Sequence, residues 1–119
     1  MNVLEASGLA AYRGERRVVE AERLAVAEGE TLALLGPNGA GKTSLLLALA
    51  ALLPYRGEVR FRGQPIDDAG AYRRRIAVVF QRPLLLDRSV RDNAAIGLEL
   101  RGVPRAARAR RAEEELARL

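Results

Sequence analysis

Apolar and polar positions alternate along Val3 to Leu9 and again along Leu24 to Ala27, the period-two pattern of strands with one face toward a core and one toward water. The charged turn Arg13-Gly14-Glu15-Arg16-Arg17 separates them, and Glu28-Gly29-Glu30 forms the next break. Thr31 to Leu35 then runs apolar almost without interruption, which predicts a short strand covered on both faces in a mostly parallel sheet. Thr43 to Leu53 carries no charge at all. Its Leu/Ala composition predicts a helix apolar all round, and so buried, that stops before Pro54. Alternation returns from Glu58 to Arg62, Gly63-Gln64-Pro65 reads as a turn, and Ala69 to Arg74 suits a short helix. Ile76 to Phe80 predicts a second buried strand with Gln81 at its exit. Beyond it the pattern becomes helical: Ser89-x-x-Asp92 fits a capping box, and Pro104 opens an Ala/Arg/Glu-rich helix running to Leu119.

The chain has 119 residues, room for one modest domain and too few for two. With 49% apolar and 29% charged residues it is expected to fold rather than remain disordered. It contains no cysteine and no histidine, which fits a reducing compartment and removes imidazole from any proposed chemistry. The net charge is +5, and the basic excess begins at Gly36: the first 35 residues are net acidic. An anionic ligand, nucleic acid or an acidic membrane face could each answer that charge. Only five aromatics are present beside twenty cationic residues, which argues against nucleic acid. No segment has the layout of a secretory signal, and the uncharged run from Ser44 to Tyr55 is far below the roughly 20 residues that span a bilayer, so a soluble chain is expected.

The most specific feature is Gly36-Pro37-Asn38-Gly39-Ala40-Gly41-Lys42-Thr43, a full match to G-x-x-x-x-G-K-[ST]. It lies between an apolar run and a helical one, where backbone amides and the positive helix end would face an anion together. Gly39 and Gly41 let amides turn inward. Lys42 would reach the β- and γ-phosphates of a nucleotide, the Thr43 hydroxyl would meet Mg²⁺, and Ser44 could bond a phosphate oxygen further back. Lys42 is the only lysine beside nineteen arginines, so where a generic cation sufficed this chain uses Arg. A slim ammonium can thread beside the loop as a planar guanidinium cannot.

With the loop placed, the flanks resemble the nucleotide-binding domain of ATP-binding cassette (ABC) transporters, importer type. The wording from Leu34 to Ser44 is similar to that family's Walker A motif; Val78-Val79-Phe80-Gln81, Pro83-Leu84-Leu85 and Ser89-Val90-Arg91-Asp92-Asn93 resemble its Q-loop and the start of its helical subdomain. The resemblance implies an α/β P-loop NTPase: a β-rich N-terminal subdomain, the start of the core sheet and the start of the helical subdomain, truncated. Residues 1–81 would be the ATP-binding core portion and 82–119 the start of the helical subdomain of a single partial domain, 1–119. It further implies that Tyr12 stacks on adenine, and that Gln81 is the catalytic and metal-side Q-loop glutamine. Gly36, Asn38, Gly39, Ala40, Gly41, Lys42, Thr43 and Ser44 would hold the phosphates, with ATP and Mg²⁺ as cofactors. The implied partners are transmembrane permease subunits and a second copy of the domain, and the implied location is cytoplasmic, peripheral at the inner face of the membrane.

The family's Walker B Asp, its neighbouring Glu, the signature motif and the switch His are not found in the sequence. Leu84-Leu85-Leu86-Asp87 imitates a Walker B strand, but Arg88 stands where Glu would follow and it begins within the Q-loop block. The expectation is therefore a nucleotide-binding piece, marginally stable and without turnover alone, whose full-length parent is an ATPase. The Q-loop wording is similar to cassettes for inorganic oxyanions such as tungstate, molybdate or phosphate. The bland account of Arg105 to Arg111 is i,i+4 pairing with Glu113 to Glu115; the resemblance would turn this region toward a permease. Alternatives from other classes are a cassette ATPase acting on nucleic acid and a non-catalytic nucleotide-binding fragment. A GTPase is excluded, because its guanine-reading Asn-Lys-x-Asp needs a second lysine.

Overall fold

A computed structural model describes residues 1–119, which divide into two compact units, Met1–Val78 and Val79–Leu119. The first is built on an antiparallel hairpin. Strand β1 (Asn2–Arg13) pairs with β2 (Arg16–Ala27) across the two-residue turn Gly14-Glu15, where Gly14 takes a positive φ. Strand β3 (Tyr55–Phe61) pairs with the other edge of β1, and the two-residue β4 (Gln64–Pro65) completes the order β2-β1-β3-β4. Both hairpin strands extend further than the alternation alone indicates, because the charged ends Arg13 and Arg16 still pair.

Cross-strand register sorts the side chains. Ala6 lies opposite Leu24 and Val59, while Ser7 lies opposite Arg23 and Glu58, so apolar and polar partners alternate along β1 on both sides. The strands also carry irregularities. Between Ser7 and Ala10 the β1–β3 ladder shifts, and there a Cβ on Gly57 (φ +97) would stand 2.2 Å from the Gly8 carbonyl oxygen. Only glycine permits that approach.

Helix α1 (Lys42–Leu49) lays Leu45 and Leu49 on the apolar face, where they meet Ala6, Leu9 and Val59, with Val19, Leu24 and Leu34 at the margin. Its expected extent to Leu53 and its all-round burial are corrected. Ala51 turns left-handed (φ 56), the Leu52 amide donates to the Leu47 carbonyl (2.8 Å) and the Ala51 amide to Ala48 (2.9 Å), a Schellman closure that ends the helix four residues early. Leu46 is 53% exposed because the sheet covers only one side of the helix. Helix α2 (Ala69–Arg73), capped by Asp68 on the Ala71 amide (3.0 Å), secures the same end. The Tyr72 hydroxyl donates to the Leu49 carbonyl (2.6 Å) and Arg73 donates to Ala51 (2.8 Å), placing hydrogen bonds and a positive charge at the negative helix end. Burial, with a smaller contribution from Tyr55, raises the Tyr72 phenol above its ordinary pKa.

The two expected buried strands are also corrected. Neither Thr31–Leu35 nor Ile76–Phe80 forms a strand, and Leu35 and Val79 are 92% and 94% exposed. A strand exists only with a hydrogen-bonding neighbour; β1 takes both of its edges from β2 and β3, and neither apolar run has a ladder partner in the chain. The sheet is antiparallel throughout, within a mixed α/β architecture.

The second unit is a helix pair. Helix α3 (Val90–Leu100) starts on Ser89, whose hydroxyl accepts from the Asp92 amide (3.1 Å), and ends in a Schellman turn at Gly102 (φ 76). Helix α4 (Arg105–Leu116) follows Pro104 and stops three residues short of the expected Leu119. The buried residues here are two alanines, Ala95 and Ala112; Arg91 reaches Glu113 across the pair at 3.0 Å. Asn93 holds the preceding loop: it accepts from the Leu86 amide and donates toward the carbonyls of Leu86, Arg88 and Ser89, at 2.9 to 3.1 Å. Leu84-Leu85-Leu86-Asp87 is therefore a pinned loop and not a strand, which removes its likeness to a Walker B segment.

Candidate nucleotide-phosphate site

The loop from Gly36 to Gly41 opens directly into the first turn of α1. Gly41 is the N-cap, in the left-handed region (φ 94), so it offers no side chain to the amides above it, and the first turn holds no acidic residue. The first helical bond runs from the Leu45 amide to the Gly41 carbonyl (2.9 Å). The amides of Lys42, Thr43 and Ser44 therefore point from the helix end without an acceptor in the chain, the donor set that suits a bound anion.

The loop is fastened at one point by shape. A Cβ on Gly41 would lie 2.9 Å from the Val18 carbonyl oxygen and 2.9 Å from the Val19 Cβ, so the loop presses on β2 at a spacing that only glycine permits. Within the loop, Ala40 donates to Pro37 (3.2 Å), closing a turn around Asn38 and Gly39. The half-buried Lys42 curls back: its ammonium donates to the Gly36 carbonyl and to Pro37 (2.8 Å). Two of its three donors are thus satisfied by the loop itself. Ser44 is the one buried polar residue, while the Thr43 hydroxyl is on the exposed side.

This lining fits a phosphate: amide donors and one cation, with no carboxylate in the turn. It fits a magnesium ion less completely, since Thr43 offers a single hydroxyl and no cluster of three carboxylate or imidazole groups accompanies it. An ion there would take most of its oxygens from the nucleotide and water.

Tyr12 stands near the end of β1, half-buried, with its amide on the Pro54 carbonyl (3.0 Å). Its partner across the hairpin is Arg17, the neighbour of Val18 against which Gly41 rests, so the hairpin ties the aromatic to the loop within one unit. Gln81 is exposed and belongs to the second unit. The structure thus brings together Gly36 to Ser44 and sets Tyr12 on the strand pair that supports them. Sequence reasoning missed five residues around these: Val18 and Val19 as the loop's seat, Tyr72 and Arg73 at the far end of its helix, and Arg56, whose guanidinium carbon lies 5.1 Å from the Tyr12 ring centroid. The alternation around Glu58 to Arg62, carried back two residues past Gly57, would have placed Arg56 on the polar face.

Comparison with known proteins agrees in kind. Residues 19–119 match the ABC transporter family. The chain is 43% identical over 103 residues to the taurine import ATP-binding protein TauB of Escherichia coli O157:H7, covering 85% of this chain and 39% of that protein. It is 42% identical, with the same coverage, to the proteins of that name from Escherichia coli K12 and Shigella flexneri serotype 5b. The chain thus spans about two fifths of the length of these relatives.

Proposed function

The chain belongs to the ABC transporter family, and on that premise we propose that it is the phosphate-gripping part of an ATP-binding subunit that powers import through membrane-embedded permease subunits. The observation that carries the reading is the set of unpartnered amides at Lys42, Thr43 and Ser44 at a helix N-terminus, with the Lys42 ammonium folded back on the loop that precedes it. Gly39, Ala40 and Gly41 wrap the phosphate chain, and the loop carbonyls of Gly36 and Pro37 hold Lys42 ready until phosphate oxygens replace them. Thr43 is the magnesium-side ligand in this reading, and Tyr12 is the base platform. When bound, Mg²⁺ neutralises phosphate charge. The chain's own residues bind and orient; water activation belongs to groups outside these 119 residues, and a second copy of the domain completes the nucleotide sandwich.

No helix is long and apolar enough to cross a membrane; in this reading the subunit works at the inner face through its partners. For the solute, the names of the relatives favour a small sulfonate of the taurine kind over an inorganic oxyanion such as molybdate, tungstate or phosphate. Both classes present tetrahedral anionic oxygens to whatever subunit binds them.

Calorimetric titration with MgATP tests the reading. Saturable binding is expected, weakened about tenfold or more in Lys42→Ala through loss of a charge-assisted bond, with no phosphate release from either chain. Equal affinity in the two chains would contradict it.

A further inference from the structure

We propose that Arg56 is a second element of the base platform, stacking on one face of Tyr12 while the nucleotide base takes the other; this rests on the reading of Tyr12 as that platform. Three observations converge. The Arg56 guanidinium carbon is 5.1 Å from the Tyr12 ring centroid, within cation–π range. Its position is set by the sheet: Arg56 pairs with Ala10 across the β1–β3 ladder, which makes it the diagonal neighbour of Tyr12 on the same polar face. Arg56 is also free of any ion pair, unlike Arg60 two residues on, which bonds Glu58, and Arg17 across from Tyr12, which bonds Glu20.

A planar cation against one ring face has two effects. It holds the ring in one orientation, so less freedom is lost when a base arrives. It also draws π density toward itself, which favours stacking of an electron-rich purine on the opposite face. Both effects require a base, and neither acts on phosphates alone. Arg56 is thus a positioning residue that acts through Tyr12, and it separates nucleotides from bare polyphosphate.

The test compares ATP with inorganic tripolyphosphate, each with Mg²⁺, by displacement of a fluorescent ATP analogue from the intact chain. Arg56→Gln is expected to weaken ATP about two- to fivefold, to leave tripolyphosphate unchanged, and to add nothing in a Tyr12→Ala background. Arg56→Lys, which keeps the charge without the plane, should recover part of the loss. Exposure of Arg56 makes misfolding of these variants a minor concern, and a circular dichroism melt checks it. A loss shared equally by ATP and tripolyphosphate would assign Arg56 to diffuse attraction and overturn the proposal. So would a loss that persists without Tyr12, or no loss beside a clear effect of Tyr12→Ala; if Tyr12→Ala itself leaves ATP affinity unchanged, the base-platform reading falls with it.

Discussion

The two units of this chain are held by different physics. In Met1–Val78 a helix closes over the apolar face of a sheet: Leu9 and Val59 are almost inaccessible, and glycine is used where backbones touch. In Val79–Leu119 two helices meet over a pair of alanines with an ion pair from Arg91 to Glu113 across them, and the loop before α3 is held by polar bonds: four from Asn93 and an ion pair from Arg88 to Glu99. Apolar burial stabilises in proportion to area and needs no exact geometry, whereas exposed ion pairs contribute at most about 1 kcal/mol each. The phosphate loop belongs to the first unit. A site that must hold amides in fixed directions sits where the packing is closest.

Substitution at a point of backbone contact should separate the two units most sharply. Gly57→Ala forces a Cβ into the Gly8 carbonyl at a positive φ, with a cost of about 4 kcal/mol. The strand signal in circular dichroism should collapse at a lower temperature while the helical signal of the second unit persists; an unchanged melt would mean that the β1–β3 approach is not tight.

The complementary break is Asn93→Ala. Its loss should cost about 2 kcal/mol locally and be visible as faster hydrogen exchange at the Leu86 amide, which Asn93 accepts, with exchange in β1 unaffected. Slow exchange at Leu86 in the variant would show that the loop is held by something else.

Legibility followed the same divide. The alternation at Val3 to Leu9, Leu24 to Ala27 and Glu58 to Arg62 located strands correctly, because each found a pairing edge in the chain: β1 and β2 in one hairpin, β3 on the other side of β1. The runs at Thr31 to Leu35 and Ile76 to Phe80 read more strongly apolar, yet neither forms a strand. Hydropathy reports what a segment would bury, and pairing depends on which other segments are present. The loop itself was legible residue by residue, since its glycines and its lone lysine each answer a steric or electrostatic demand. Its supports were not: Val18 and Val19 serve by backbone position, and Tyr72 acts on Leu49 from 23 residues away.

A smaller effect sharpens the comparison by pH. The raised Tyr72 pKa means that the folded first unit favours the neutral phenol, so this contribution is fully present below the ordinary value of 10.0 and is lost as pH rises through the folded value. The thermal midpoint of the first unit should fall above pH 10. In Tyr72→Phe, which forfeits the bond to Leu49 at about 1 kcal/mol, that alkaline fall should flatten. The second unit contains no tyrosine and should show no such step.

The central claim is that the amides of the α1 N-terminus, seated on β2, are the anion cradle. The most direct measurement is an amide-resolved nuclear magnetic resonance titration of the chain with MgATP. Large, saturable shifts are expected at Gly39, Gly41, Lys42, Thr43 and Ser44, small ones at Val18 and Val19, and none at Ala95 or Ala112. Shifts confined to the arginine-rich helix pair, with the loop amides unmoved, would contradict it.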